Sequence, residues 1–162
     1  MIESEIEFVQ RFRIGLVLNP IAGLGGPAAL KGTDGREIVA EALQRGSDCH
    51  VTDRTVTCLA QLADISDHLS IVTCPGDMGE IACTQAGLSC DVVGSTSDLT
   101  SAEDTRIAVR AFQDLGVELI LFAGGDGTAR DVADVISPDQ VCLGIPCGVK
   151  MHSGVFATTP VA

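Results

Sequence analysis

The feature that most constrains this fold is an apolar run that ends in a glycine-rich turn and continues into a helical pattern. Residues 117–123 are mostly apolar, and residues 124–128 read Gly-Gly-Asp-Gly-Thr. Beyond the turn, apolar residues recur at the spacing of one helical face: Ala129, Val132, Ala133 and Ile136. A buried strand that enters a helix through a short turn is typical of an α/β domain with a parallel sheet.

Other parts of the chain repeat this order of strand, turn and helix. Further strands are predicted at residues 13–18, 69–73, 90–93 and 140–145, with a weaker candidate at 50–52. Helices are predicted at residues 36–45, near 58–63, from Glu80, and after a capping box formed by Thr100 and Glu103. Residues 1–162 are therefore predicted to form a single α/β domain, doubly wound around a mostly parallel sheet.

The composition supports that class and excludes several partners. Five Phe and no Tyr or Trp leave an aliphatic core, which suits a sheet buried on both faces. A net charge of −12 argues against nucleic acid or an anionic membrane as a partner. An acidic N-terminus unlike a signal peptide predicts a cytoplasmic protein. Seven cysteines without a C-x-x-C pair argue against a zinc site or a disulfide framework.

The glycine turn has the composition of a phosphate-binding turn with one added carboxylate. Ligands of open parallel sheets bind beyond the carboxyl ends of the strands, where glycines let the backbone approach a phosphate. Asp126 would repel a phosphate, so we expect it to bind a hydroxyl, accept its proton, or hold Mg²⁺. The alternative is a plain turn in which Asp126 is a solvated cap, and Thr128 could also cap the helix.

Two further loops at predicted strand ends favour a nucleotide site. Asn19 and Pro20 begin a glycine-rich loop after the first strand, and residues 146–150 end in Lys150. Lys150 could bring positive charge to a phosphate, or it could be an ordinary exposed lysine. Asp77 and Glu80 follow another strand, where they could bind Mg²⁺ or a ribose but are better explained as helix caps.

The glycine turn resembles the Gly-Gly-Asp-Gly-Thr signature shared by NAD kinases, diacylglycerol kinases and sphingosine kinases. Residues 18–23, 31–35 and 144–153 together look like the ATP-NAD kinase-like proteins of the acetoin-catabolism X type. This resemblance covers nearly the whole chain. It implies phosphorylation of a hydroxyl of NAD or a related small molecule, with ATP and Mg²⁺; with NAD the product is NADP.

Carried over by position, the resemblance assigns roles to six residues. Asp126 would contact the acceptor hydroxyl as a base or an orienting group, and no protein residue is assigned as a metal ligand. The nucleotide site would be formed by Asn19, Gly124, Gly125, Gly127 and Thr128. Lys150 is added to this site for its positive charge rather than by position. The loop containing Lys150 departs from the P-x-G-T-G-N-D pattern of lipid kinases, which weakens a lipid-kinase interpretation.

The family pattern also raises expectations about the whole protein. NAD kinases carry a second, β-rich domain, so we expect this chain to be the N-terminal part of a longer two-domain kinase and to have little activity alone. Without that second domain, an apolar surface would be exposed and would promote self-association, so we expect a homo-oligomer. The alternatives are a non-catalytic nucleotide-binding regulatory protein and a lipid or sphingoid kinase. Cys147 and His152 are minor candidates for chemistry, with packing and surface roles as the alternatives.

Overall fold

The fold is a parallel sheet between two layers of helices. A computed structural model describes residues 10–22, 50–96, 100–148 and 151–161. Within them, five strands form one parallel sheet in the order β3-β2-β1-β4-β5. They are Phe12–Leu18 (β1), Leu69–Thr73 (β2), Cys90–Val92 (β3), Leu119–Gly124 (β4) and Val141–Pro146 (β5). The predicted fold class is confirmed, and the five stronger strand predictions agree with the structure to within two residues.

The helices that the structure describes connect and cover these strands. They are Val51–Ala60 (α1), Glu80–Gln85 (α2), Ala102–Asp114 (α3) and Asp126–Ala133 (α4), with 3₁₀ turns at Ala63–His68 and Gly76–Met78. None of the helices in the described part of the chain is long and apolar enough to span a bilayer. The predicted helix at residues 36–45 and the loops at 23–26 and 31–35 lie outside the described residues.

The central strand β1 is buried on both faces, which explains its continuous apolar sequence. Leu16 and Leu18 belong to the core cluster that α1 and α2 cover, whereas Val17 belongs to the cluster covered by α3 and α4. Gly15 leaves room for Phe112 of α3, because a Cβ at residue 15 would lie 2.6 Å from Phe112 Cδ2. The sheet is therefore the middle layer of three, as expected for a doubly wound domain.

Two local predictions are wrong. Residues 50–52 are not a strand: α1 begins at Val51, and Val51, Thr55 and Leu59 are buried at helical spacing on one side. The β-branched residues suggested a strand, but packing of that face against the core determines a helix. For the same reason, the helix predicted near 58–63 begins earlier and ends at Ala60.

The capping box before α3 lies one residue later than predicted. The N–H of Ser101 donates to Asp104 Oδ2 at 2.7 Å, so Ser101 and Asp104 replace Thr100 and Glu103 as the pair. Ser101 has the extended backbone of an N-cap residue. The sequence offers two N-cap candidates, Thr100 and Ser101, each with an acid three residues later. It therefore does not determine which pair forms the capping box.

The chain after β5 turns back along the sheet edge. The N–H of Gly144 donates to the Val155 carbonyl, and the N–H of Ala157 donates to the Gly144 carbonyl, both at 2.9 Å. The Phe156 ring packs edge-on against Phe122, with ring centroids 5.4 Å apart. This pairing places residues 151–155 beside the first turn of α4.

Candidate functional site

The site lies where the strand order of the sheet reverses. The connections after β1 and β2 lead to one side of the sheet, and α3 returns the chain to β4 on the other side of β1. At the carboxyl ends of these neighbours, the N–H of Asn19 donates to the Ala123 carbonyl at 2.9 Å. Ligands of doubly wound folds bind at this kind of switch point.

Asn19 joins the first loop to the glycine turn. Its Nδ2 donates to Thr128 Oγ1 at 3.0 Å, and its Oδ1 accepts from the N–H of Ile21 at 3.2 Å. Thr128 is buried, so its hydroxyl serves this contact rather than an exposed helix cap. The two loops that the sequence assigns to the nucleotide are thus held together by side chains 109 positions apart.

Packing explains why one position of the turn is glycine but not why the other two are. A Cβ at Gly124 would lie 2.5 Å from Thr128 Cβ, so internal packing already demands glycine there. A Cβ at Gly125 would lie 3.9 Å from Gly148 Cα, an ordinary contact, and one at Gly127 would have no neighbour within 4 Å among the described residues. Packing leaves Gly125 and Gly127 unexplained, whereas close approach of a ligand explains them.

The first turn of α4 can bind an anion. The first N–H groups of a helix have no acceptor within it, and no side chain in the described part of the chain caps α4. Gly125 and Gly127 leave these donors uncovered. Their partial positive charge favours a phosphate at this position.

Asp126 is held by the segment that follows β5. Its Oδ2 accepts from the N–H of His152 at 2.9 Å, and its Oδ1 accepts from the N–H and the hydroxyl of Ser153 at 3.1 and 2.8 Å. The hydroxyl bond from Ser153 and the two backbone bonds lower the pKa of Asp126. The side chain is therefore ionised at neutral pH.

This lowered pKa links the carboxylate contact to stability at low pH. A depressed pKa in the folded state means that the contact stabilises the fold at pH values above the unfolded-state pKa of Asp126. The contribution is lost as the pH falls through the folded-state pKa. The segment at residues 152–153 is therefore anchored to α4 throughout the neutral range.

Comparison with protein families agrees with this geometry. The family model described as the ATP-NAD kinase N-terminal domain matches residues 14–162. The chain belongs to the ATP-NAD kinase family. Comparisons with curated proteins and with solved structures return no match. The acetoin-catabolism X subtype stays a prediction, because the family match does not separate subtypes.

The ATP-NAD kinase family is ATP-dependent and generally uses a divalent metal. No group of three or more metal-ligating side chains occurs among the described residues. Mg²⁺ commonly takes one or two carboxylates together with substrate phosphates and water. Asp126 lies beside the anion-binding helix start, but three hydrogen bonds already occupy its oxygens, so Mg²⁺ would be held mainly by the nucleotide phosphates and water.

The remaining residues that the sequence singled out lie at different places in this domain. Glu80 Oε2 accepts from the N–H of Gly76 at 2.9 Å, in the turn before α2. No side chain in the described part of the chain caps α2 itself, so the capping prediction for Asp77 and Glu80 is wrong. Cys147 is half-buried, and its N–H donates to the Gly124 carbonyl at 2.9 Å. His152 contacts Asp126 through its backbone. Lys150 lies outside the described residues.

Arg54 was not singled out from the sequence, and Ser153 was considered only as a neighbour of Lys150 and His152, not as a partner of Asp126. Ser153 holds Asp126, as described above. Arg54 of α1 donates through Nη1 to the Pro146 carbonyl at 2.9 Å, which brings a guanidinium to the strand-end edge. The mistaken strand at residues 50–52 concealed the helix that carries Arg54, whereas the contact of Ser153 with Asp126 joins distant positions and has no local sequence signal.

The contrast between the glycines yields a first prediction. Gly127→Ala should leave the free energy of unfolding unchanged or raise it by about 0.4–1 kcal/mol, since Ala fits there and restricts the unfolded chain. It should nevertheless weaken Mg-ATP binding, because the methyl group lies over the open N–H groups. Urea unfolding and calorimetry measure the two effects.

Gly124→Ala is the matched control for this substitution. Its methyl group would collide with Thr128, so we expect a loss of about 1–3 kcal/mol of stability. If Gly127→Ala were destabilising, or if it bound Mg-ATP normally, Gly127 would have no role in ligand approach.

Proposed function

We propose that this protein transfers the γ-phosphoryl group of ATP to a hydroxyl of NAD or a related small molecule. The observation that carries the proposal is the position of Asp126, an ionised carboxylate at the start of α4 and beside two glycines that packing does not require. Membership of the ATP-NAD kinase family supports the same reaction class.

Phosphoryl transfer depends mainly on positioning and electrostatic stabilisation. The N–H groups at the start of α4 bind phosphate oxygens, and the Arg54 guanidinium has donors beyond the one used by Pro146. Mg²⁺ bound with the nucleotide would neutralise developing charge. An acceptor oxygen forms the new bond to the γ-phosphorus, the bond to the leaving ADP breaks, and the hydroxyl proton passes to the Asp126 carboxylate.

The hydrogen bonds of Asp126 define what it can do in this reaction. A carboxylate has about four lone-pair sites, and the residues at 152–153 use three of them. Oδ2 accepts one bond where Oδ1 accepts two, so Oδ2 has room for the acceptor hydroxyl. Asp126 orients the hydroxyl, and because its lowered pKa makes it a weak base, it accepts the proton late in a loose transition state.

A second candidate is a regulatory protein that binds nucleotide without turnover. The three bonds on Asp126 favour it, because they also satisfy a purely structural role in which the carboxylate anchors residues 152–153 to α4. This alternative predicts nucleotide binding, no phosphorylated product, and no effect of Asp126 on chemistry.

Mg-ATP binding is the first test of the proposal. The chain should bind Mg-ATP weakly, at up to millimolar concentration, because the glycine turn and α4 supply phosphate donors without a described pocket for adenine. Calorimetry and thermal shift measure this binding, and formation of NADP from ATP and NAD measures turnover. Absence of any response at millimolar Mg-ATP would contradict both candidate functions.

A further inference from the structure

A cavity of about 310 Å³ lies at the edge of the sheet opposite the candidate site. It is formed where β1, β2 and β3 begin, and the turn at Ala63–His68 and residues 87–89 complete its wall. We call this space the amino-edge cavity. β2 and β1 contain five and seven residues, so about 15–25 Å separate the cavity from the glycine turn, at about 3.3 Å per residue. No residue of the candidate site lines it.

The amino-edge cavity has an apolar floor and a polar rim. Leu69, Leu88 and Cys90 are half-buried and pack against the core cluster that α1 and α2 cover. Burial raises the pKa of the Cys90 thiol, so the thiol adds no charge at neutral pH. Serines and charged residues surround this floor: Ser66, Ser70, Ser89, Arg11, Asp67 and Asp91. Sites for small ligands span about 300–1,000 Å³, so the cavity suits a molecule the size of one amino acid rather than a nucleotide.

The charged groups of the rim do not neutralise one another. Arg11, Asp67 and Asp91 are exposed, and within the described part of the chain none of them forms an ion pair. On α3, by contrast, Arg106 contacts Asp131 at 2.7 Å. The cavity therefore holds one positive and two negative groups apart, and its complement is a ligand with one anionic and two cationic groups.

We propose that the amino-edge cavity binds a free basic amino acid, a small molecule with one carboxylate and two ammonium groups. The Arg11 guanidinium pairs with the carboxylate, for which its planar fork of donors is suited. Asp67 and Asp91 pair with the ammonium groups, and the methylene chain of the ligand lies on the apolar floor. The net charge of −12 also attracts a cationic ligand.

The position of the cavity determines what such a ligand can do. It lies at the amino ends of the strands, whereas the phosphate-binding N–H groups of α4 lie at the carboxyl ends. The basic amino acid is therefore not a reactant of the proposed phosphoryl transfer, and it binds together with Mg-ATP rather than in competition with it. The proposal does not depend on the proposed kinase function.

The probe is L-lysine, together with two molecules that each lack one of its charged groups. Cadaverine lacks the carboxylate, and 6-aminohexanoate lacks the α-ammonium group. Calorimetry on the unmodified chain should show that L-lysine binds most tightly and that each of the other two binds about tenfold more weakly, in keeping with the loss of one charged hydrogen bond. Mg-ATP should not displace L-lysine.

Single substitutions connect this binding to the cavity. Arg11→Gln should weaken L-lysine binding by about tenfold but should not weaken cadaverine binding, because cadaverine has no carboxylate for Arg11. Asp91→Asn should weaken the binding of both molecules. Arg110→Gln and Asp139→Asn are the matched controls, because both residues are exposed and neither lines the cavity, so both variants should bind L-lysine normally.

The outcomes separate this proposal from the proposed function. Equal L-lysine binding by all five proteins, or none at millimolar concentration, would overturn the proposal whether or not NADP is formed. Cadaverine binding as tight as that of L-lysine would also overturn it, because the carboxylate would then contribute nothing. L-lysine binding that depends on Arg11 and Asp91 would support the cavity even in a chain that binds no nucleotide. Circular dichroism checks folding, and two independent exposed substitutions keep the test valid if one variant does not fold.

Discussion

Replacing Asp126 with asparagine is expected to lower the rate of phosphoryl transfer by about 10²–10⁴-fold, the usual range for loss of a catalytic acid–base group. Asparagine keeps an oxygen that can accept from residues 152–153 but has no charge to hold the hydroxyl proton. NADP formation from ATP and NAD measures the rate, in the longer two-domain protein that is expected to be active. Calorimetry should show little change in Mg-ATP binding.

Asp139→Asn is the matched control for this substitution, because Asp139 is exposed and lies outside the site. It should leave the rate unchanged. Near-normal turnover by Asp126→Asn would return Asp126 to a structural role and favour the regulatory alternative.

The pH dependence of the phosphoryl-transfer rate distinguishes a catalytic role of Asp126 from a purely structural one. Because the pKa of Asp126 is lowered, this group should cause no loss of rate between about pH 8 and pH 6. Ser153→Ala removes the bond that contributes most to the lowering. The acid limb of the profile should therefore move to higher pH in Ser153→Ala, whereas a purely structural contact would leave the limb in place.

Replacing Phe112 with alanine is expected to lower the free energy of unfolding by about 3–5 kcal/mol, as for other buried Phe-to-Ala changes. Phe112 is fully buried between α3 and the sheet, in a chain with few other large side chains to fill the space. Urea unfolding followed by circular dichroism measures the loss. Phe12→Ala is the control, because Phe12 is 44% exposed at the start of β1 and should lose far less.

The pairing of Phe112 with Gly15 makes this prediction more specific. Gly15→Ala alone should cost about 1–3 kcal/mol, since its methyl group would overlap the ring. In the Phe112→Ala background the ring atoms are gone and the Cβ of residue 112 remains at 3.0 Å, so the second substitution should cost clearly less than it does alone. Additive effects of the two substitutions would show that the ring does not pack over Gly15.

The sequence alone determined the strand positions and the class of fold. The runs in β1, β2 and β4 are apolar, because strands buried on both faces need continuous hydrophobicity, and each is followed by a turn with glycine or proline. The glycine turn also predicted the candidate site, because ligands of such sheets bind at strand ends. The start of α1 was missed, because the helix there depends on which face packs against the core.

Only the tertiary structure decided how the predicted site residues are arranged. Asn19 and Thr128 meet because β1 pairs directly with β4, and the order of strands in a sheet is not visible in their hydrophobic pattern. Asp126 meets Ser153 because the chain turns back after β5, where Gly144 pairs with the backbone of Val155 and Ala157 and Phe156 packs against Phe122. Gly124 and Gly127 are both glycines of one turn, but only at Gly124 would an added Cβ collide with Thr128. Each distinction is a matter of long-range packing, which local sequence patterns do not encode.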